Sequence, residues 1–135
     1  MYHESYTAAA GGAIAALVLT QIMYGKADLT MVLNGALAGL VSITAEPLTP
    51  SLGLATIIGA IGGIIIVFSV PLLDKLKIDD VVGAISVHGI AGIWGTLAVV
   101  LSNSDASFGT QLLGTVSICL FTFIVSYVAW LLLDM

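Results

Sequence analysis

Residues 77–95, which read KIDDVVGAISVHGIAGIWG, contain the side chains of this sequence that are best suited to chemistry. Asp79 and Asp80 stand near the start of the stretch, and His88 follows within a run of residues that are otherwise apolar or small. An imidazole can donate and accept hydrogen bonds, and it can change its protonation state near neutral pH. What His88 can do depends on whether water or lipid surrounds the run, and therefore on the elements that position it.

The composition indicates a membrane protein. Of the 135 residues, 59% are hydrophobic and only 8% are charged, whereas soluble domains carry about a quarter charged residues. Charged and turn-forming residues divide the chain into five apolar segments, at 7–24, 31–45, 52–73, 81–101 and 109–133. Most of them approach the ~20 residues that cross a hydrocarbon core as a helix, and the second, which is shorter, needs its flanks or a broken helix to span.

We predict helices rather than strands, because the segments are long, lack strict alternation, and could not satisfy an open sheet edge in lipid. The expected fold is an all-α, multi-pass bundle of five transmembrane helices in the cell membrane, with residues 1–135 in one domain. Lys26 lies in the first connector, Lys75 and Lys77 lie in the third, and the other two connectors contain no lysine or arginine. Because cytoplasmic loops are rich in positive residues, we expect an outer N-terminus and a cytoplasmic C-terminus.

Asp79 and Asp80 are predicted to start the fourth helix, because carboxylates there accept hydrogen bonds from first-turn amides and favour the positive end of the helix dipole. Direct contact with a substrate cation is the alternative role. His88 would lie roughly 10–12 Å further along the helix, at a depth where ionisable groups usually face a bundle interior or a pathway. On an ideal α-helix it shares a face with Val81, Ala84, Ile85, Ala91, Gly92 and Gly95.

Small residues recur at the spacing of helix contacts. Gly89, Gly92 and Gly95 step along the fourth segment, and G-x-x-x-G pairs occur in the second and third segments. Helices in lipid gain much of their association energy where small residues let backbones approach closely. These glycines therefore predict a compact bundle and have a structural role.

Several classes of function find no support in the sequence. The chain has no G-x-S-x-G, G-x-x-x-x-G-K-[ST] or H-E-x-x-H motif, so we expect neither enzymatic activity nor a cofactor. No second ligand lies at metal-binding spacing from His88, and no basic patch suits nucleic acid. Cys119, the only cysteine, is predicted to be a small buried apolar residue.

The stretch DDVVGAISVHGIAGIWGTLAV resembles the tenth transmembrane helix of the ammonium transporter (Amt/Mep/Rh) family, whose pattern is an acidic pair followed by H-G-x-x-G-x-x-G. NGALAGLVSIT at 34–44 resembles that family's eighth helix, and TAAAGGAIAAL at 7–17 its seventh. The resemblance implies an eleven-helix fold of two inverted halves of five helices plus a long final helix. The five segments would be helices seven to eleven, which gives the same orientation as the lysines.

The resemblance also implies transport of ammonium or ammonia through each protomer of a homotrimer, with a PII-type signalling protein as a candidate partner on the cytoplasmic face. His88 matches the second of two pore histidines that relay protons, and Ala84 and Leu37 match pore-lining positions. The first pore histidine belongs to the family's first six helices. The chain is therefore interpreted as a truncated portion that is inactive alone. An ammonium sensor of the same fold and a half-bundle without function stay open as alternatives.

Overall fold

The computed structural model describes residues 2–48 and 50–134, and these ranges contain helices and connectors but no strand. The predicted all-α class is confirmed. One helix, at Ile85–Ile90, is a π-helix and is called the π segment below. The elements follow in the order α1 (Tyr2–Tyr24), α2 (Leu29–Ile43), α3 (Leu52–Lys75), the π segment, α4 (Ala91–Ala98), a 3-10 turn (Val99–Leu101) and α5 (Phe108–Leu133).

Three of the described helices are long and apolar enough to cross a membrane, at His3–Tyr24, Leu52–Lys75 and Phe108–Leu133. Two apolar helical stretches are shorter, Leu29–Ile43 and Ile85–Leu101. With 15 residues, α2 rises only about 22 Å at 1.5 Å per residue, less than the ~30 Å of a hydrocarbon core. The second segment is therefore short in the structure, as its sequence predicts.

Backbone contacts at glycines show that α1 and α2 are antiparallel. A Cβ atom on Gly39 would collide with the carbonyl oxygen of Ala8, and one on Gly12 would collide with the carbonyl oxygen of Gly35. Moving forward along α1 therefore means moving backward along α2. Because the helices touch through their backbones, any side chain at Gly12 or Gly39 would force them apart.

The third helix runs parallel to α1. Gly59 approaches the carbonyl oxygen of Ala8, and Gly63 approaches that of Gly12, so both helices advance together. A cluster of buried side chains accompanies these contacts and consists of Ala8, Ile43, Ala55, Ile58 and Ala98.

The π segment and α4 run parallel to α2. Gly83 lies against Asn34, and Gly95 lies against the backbone of Ser42. The Trp94 indole Nε1–H donates a hydrogen bond of 3.1 Å to the Ile58 carbonyl oxygen and so ties α4 to α3. The first and third connectors consequently share one end of the bundle, and the second and fourth share the other.

The end of α3 directs the chain toward the acidic pair. The Ile78 N–H donates to the Leu73 carbonyl oxygen at 3.0 Å, and the Lys77 N–H donates to that of Asp74 at 3.0 Å. Lys77 has a φ of 58°, so the two hydrogen bonds form a Schellman motif with a lysine where glycine is usual. The helix therefore ends sharply, and Asp79 and Asp80 follow at once.

Candidate functional site

His88 lies in the π segment, and its side chain is exposed to a groove of about 730 Å³ between this helix and α5. The imidazole makes no hydrogen bond with any part of the chain that the structure describes. One wall of the groove consists of Ile85, His88, Gly89, Gly92, Ile93 and Thr96. The other, from α5, consists of Gln111, Gly114, Thr115, Ile118, Cys119, Thr122 and Phe123.

The π segment changes which residues share the face of His88. On an α-helix, Ala91 and Gly95 would lie on that face. In the structure, the Ala91 N–H donates to the carbonyl oxygen five residues earlier, Ser86, and this wider turn adds one residue to the helix repeat. Ala91 and Gly95 are buried in the bundle instead, so the predicted face was wrong at both positions. The groove face continues one position later, through Gly92, Ile93 and Thr96.

The fourth helix also begins later than predicted. Residues 81–83 form a turn, and helical structure starts at Ala84. Val81 therefore lies outside the helix and does not share a face with His88, contrary to the prediction. Gly83 has a φ of 75°, a conformation that glycine adopts without steric cost, and this residue lets the chain turn into the helix.

Asp80 supplies the hydrogen bonds that this late start requires. Its Oδ1 accepts from the Ile85 N–H at 2.9 Å, and its Oδ2 accepts from the Ser86 N–H at 3.1 Å. Partial burial raises the pKa of Asp80, but these backbone amides outweigh it and hold the pKa below its ordinary value. Asp79 is exposed and makes no such bond within the described residues. Only the second carboxylate therefore stabilises the helix start.

Asp80→Ala should destabilise the start of the π segment by about 1 kcal/mol, and Asp80→Asn by less, because an amide oxygen still accepts one hydrogen bond. The lowered pKa means that the carboxylate's contribution is present above the unfolded pKa of about 3.9 and is lost as pH falls through the folded pKa. Hydrogen exchange at Ile85 and Ser86, corrected for intrinsic rates, should rise on acidification in wild type but not in Asp80→Asn. Asp79→Asn is the matched control, and equal protection in all variants would contradict this role.

The other predicted site residues are spread along two helices. Ala84 is exposed one turn before His88. Leu37 is 48% exposed on α2 and is not among the residues that line the groove. Of the three glycines predicted to have a structural role in the fourth segment, only Gly95 lies against neighbouring backbone so closely that a Cβ would clash, whereas Gly89 and Gly92 have ordinary space.

Cys119 is exposed, so its predicted burial was wrong. The reason is that α5 packs chiefly against α4, and Thr115 is its only buried residue among those described. The sequence does carry a signal for the α5 wall. Small or polar residues recur three or four positions apart along one face, at Gln111, Gly114, Thr115, Cys119 and Thr122. No group of three metal-ligating side chains occurs within residues 2–48 and 50–134.

The whole sequence, residues 1–135, matches the model of the family described as the Ammonium Transporter Family. The chain is 44% identical over 102 residues to the ammonium transporter Amt2 of Archaeoglobus fulgidus, a match that covers 76% of this chain and 22% of that protein. It is 40% identical over 137 residues to a Synechocystis protein whose name also describes an ammonium transporter, covering 98% of this chain and 31% of the relative.

A crystal structure of a mutant of Mep2 from Candida albicans has the same fold. It superimposes with a TM-score of 0.87 at 26% sequence identity, covering 98% of this chain and 33% of the Mep2 chain. The chain therefore spans about a third or less of the length of these relatives. The five helices are a part of a larger helical fold.

Proposed function

The chain belongs to the ammonium transporter family, and on that premise we propose that it supplies one wall of a membrane pathway for ammonium or ammonia. The observation that carries the proposal is the exposure of His88 to the groove between the π segment and α5. An ionisable side chain in a membrane-spanning region is costly unless it faces a pathway or a partner. His88 has no partner within the described chain, so a pathway or a partner from outside the chain must meet it.

Desolvation supports the involvement of an imidazole. Transferring an intact ammonium ion into an apolar pore costs far more than transferring neutral ammonia, which favours release of the proton at the pore entrance. An imidazole can accept a proton at one nitrogen while it donates from the other. Two hydrogen-bonded imidazoles could therefore pass a proton along a path that ammonia follows.

We propose that the second imidazole comes from helices outside this chain, and that those helices close the groove. Ala84 is one turn from His88, and we propose that it lines the same path. Leu37 is exposed on α2, where it can meet the other helices. On this proposal the 135-residue chain does not conduct alone, because its own helices do not enclose the groove.

The test is a chimera in which this chain replaces the matching region of Archaeoglobus fulgidus Amt2. The chimera and the chain alone are reconstituted in liposomes, and charge displacement after an ammonium concentration jump is recorded on a solid-supported membrane. We expect a saturable signal from the chimera and none from the chain. A chimera that inserts and assembles but gives no signal would refute the transport proposal. A saturable signal from the chain alone would refute the proposal that helices outside this chain are needed to close the groove.

The lysines predict the orientation, with the first and third connectors in the cytoplasm. In a Cys119→Ser background, an impermeant thiol reagent added outside intact cells should label Ser104→Cys but not Lys26→Cys or Lys77→Cys. Permeabilised cells, in which all three should react, provide the control. Labelling of the two lysine positions alone in intact cells would reverse the orientation.

We further propose the homotrimer that the resemblance implies, and a PII-type protein as a partner of its cytoplasmic face. Native mass spectrometry of the chimera should show three protomers. A mass of one protomer under conditions that preserve the parent Amt2 assembly would contradict the trimer.

A further inference from the structure

Asn34 is an amide side chain buried in an otherwise apolar part of α2. It is 8% exposed, and it makes no hydrogen bond within the described part of the chain. Two hydroxyl side chains at the C-terminal end of this helix form local hydrogen bonds. The Ser42 hydroxyl donates to the Ala38 carbonyl oxygen at 2.6 Å, and the Thr44 hydroxyl donates to that of Leu40 at 2.8 Å. Asn34 forms no such local bond, so the burial of its amide needs another explanation.

The amide of Asn34 lies against Gly83, in the turn that precedes the π segment. A Cβ atom on Gly83 would lie 2.9 Å from Asn34 Nδ2 and 3.4 Å from its Cγ. The Gly83 N–H donates to the Asp80 carbonyl oxygen at 3.0 Å, and the Val87 N–H donates to the Gly83 carbonyl oxygen at 2.8 Å. Gly83 therefore joins the acidic turn to the residue directly before His88, and Asn34 is packed on that junction.

A buried cluster lies one helical turn further along both elements. Val87 is 2% exposed and belongs to the same buried cluster as Ala38, which is one turn after Asn34 on α2. The Gly83–Asn34 contact, together with the burial of Val87 in the cluster that contains Ala38, sets the rotation of the π segment against α2. Because His88 follows Val87, this rotation determines whether the imidazole points into the groove.

We infer that Asn34 is a positioning residue for His88, holding the start of the π segment through its contact with Gly83. The inference rests on the proposed function only in that His88 is the group being positioned. Apart from the hydrogen bonds to Asp80, few contacts hold this turn, since Val81 is 86% exposed and Val82 is 71% exposed. An amide suits the position because it fills the space that the missing Cβ of Gly83 leaves and can still bond to a polar group of the complete transporter.

The first experiment measures hydrogen exchange in the full chain in lipid nanodiscs, for Asn34→Ala, Gly83→Ala and the double variant. Asn34→Ala should speed exchange of the amides of residues 84–88 by about tenfold, while α4 amides stay protected. Gly83→Ala should do the same through its clash with Asn34 and its positive φ. The double variant should be no worse than Gly83→Ala, because the new methyl group occupies the space that Asn34 vacated. Thr44→Ala, at the C-terminal cap of the same helix, is the control and should change nothing at 84–88.

The second experiment measures charge displacement in the Amt2 chimera. Asn34→Ala should lower the maximal displacement about fivefold or more while the half-saturating ammonium concentration stays unchanged, because His88 is displaced and the entrance is not. A purely structural role would lower expression and trimer content instead. Unchanged exchange at 84–88, or additive effects in the double variant, would overturn the inference. A wild-type chimera that gives no charge displacement would refute the proposed function. The exchange data are measured on the chain itself, so they would still show whether Asn34 holds residues 84–88 through Gly83.

Discussion

His88→Ala in the Amt2 chimera should reduce ammonium-driven charge displacement by about a hundredfold or more, because positioned acid–base groups typically contribute that much to proton transfer. The substitution removes the only titratable group on the groove walls besides the Cys119 thiol. It should leave the fold intact, since the imidazole is exposed and makes no hydrogen bond within the described residues. The expected change in unfolding free energy is within about 0.5 kcal/mol.

The other histidine provides the matched control. His3 is exposed in the first turn of α1 and does not line the groove, so His3→Ala should keep wild-type charge displacement. His88→Gln, which keeps a donor and an acceptor but does not titrate, should behave like His88→Ala. If His88→Ala gave wild-type charge displacement at equal protein density and trimer content, His88 would have no role in the transport mechanism.

Gly59→Ala should destabilise the bundle by roughly 2–3 kcal/mol, because the new methyl group meets a backbone that cannot move aside as a flexible side chain would. The obstacle is the carbonyl group of Ala8 in α1. Separating α1 from α3 would also disturb the cluster formed by Ala8, Ala55 and Ile58. The predicted effect is therefore a loss of packing across the whole interface between the two helices.

Gly53 is the matched control, because it lies in the same helix and a Cβ there would meet nothing within 4 Å. Gly53→Ala should raise stability by roughly 0.5–1 kcal/mol through the lower chain entropy of alanine. Unfolding of both variants in mixed detergent micelles, followed by circular dichroism, gives the comparison. Equal stability of Gly59→Ala and Gly53→Ala would mean that α1 and α3 do not meet through their backbones.

Hydrophobicity and turn residues were enough to predict five helices, because both signals are local. Each apolar segment overlaps a helix of the structure, and the shortness of α2 is visible in the sequence. The role of Asp80 was also predictable, since an aspartate before an apolar run has a common use in helix capping. Its carboxylate bonds to Ile85 and Ser86, whereas a capping side chain usually bonds to the amide two or three positions later. The longer reach follows from the turn at Gly83.

The face of the fourth helix was not predictable from periodicity, because a π turn leaves no clear mark in the sequence. A strict α-helical repeat places Ala91 and Gly95 beside His88, and one extra residue in the turn replaces them with neighbours one position later. The exposure of Cys119 was missed for another reason. Apolar composition shows that a segment lies in lipid or protein, but it does not show which helices pack on α5.

A cryo-EM structure of the chimera in lipid nanodiscs tests most directly whether the groove beside His88 is one wall of an ammonium pathway. We predict that helices from outside this chain fill the side of the groove that is open here. One ring nitrogen of His88 should lie within hydrogen-bond distance of a second imidazole that those helices supply, next to a narrow passage through the protomer. A groove that stays open to lipid, with His88 facing acyl chains and no polar group of the other helices near it, would contradict the proposal.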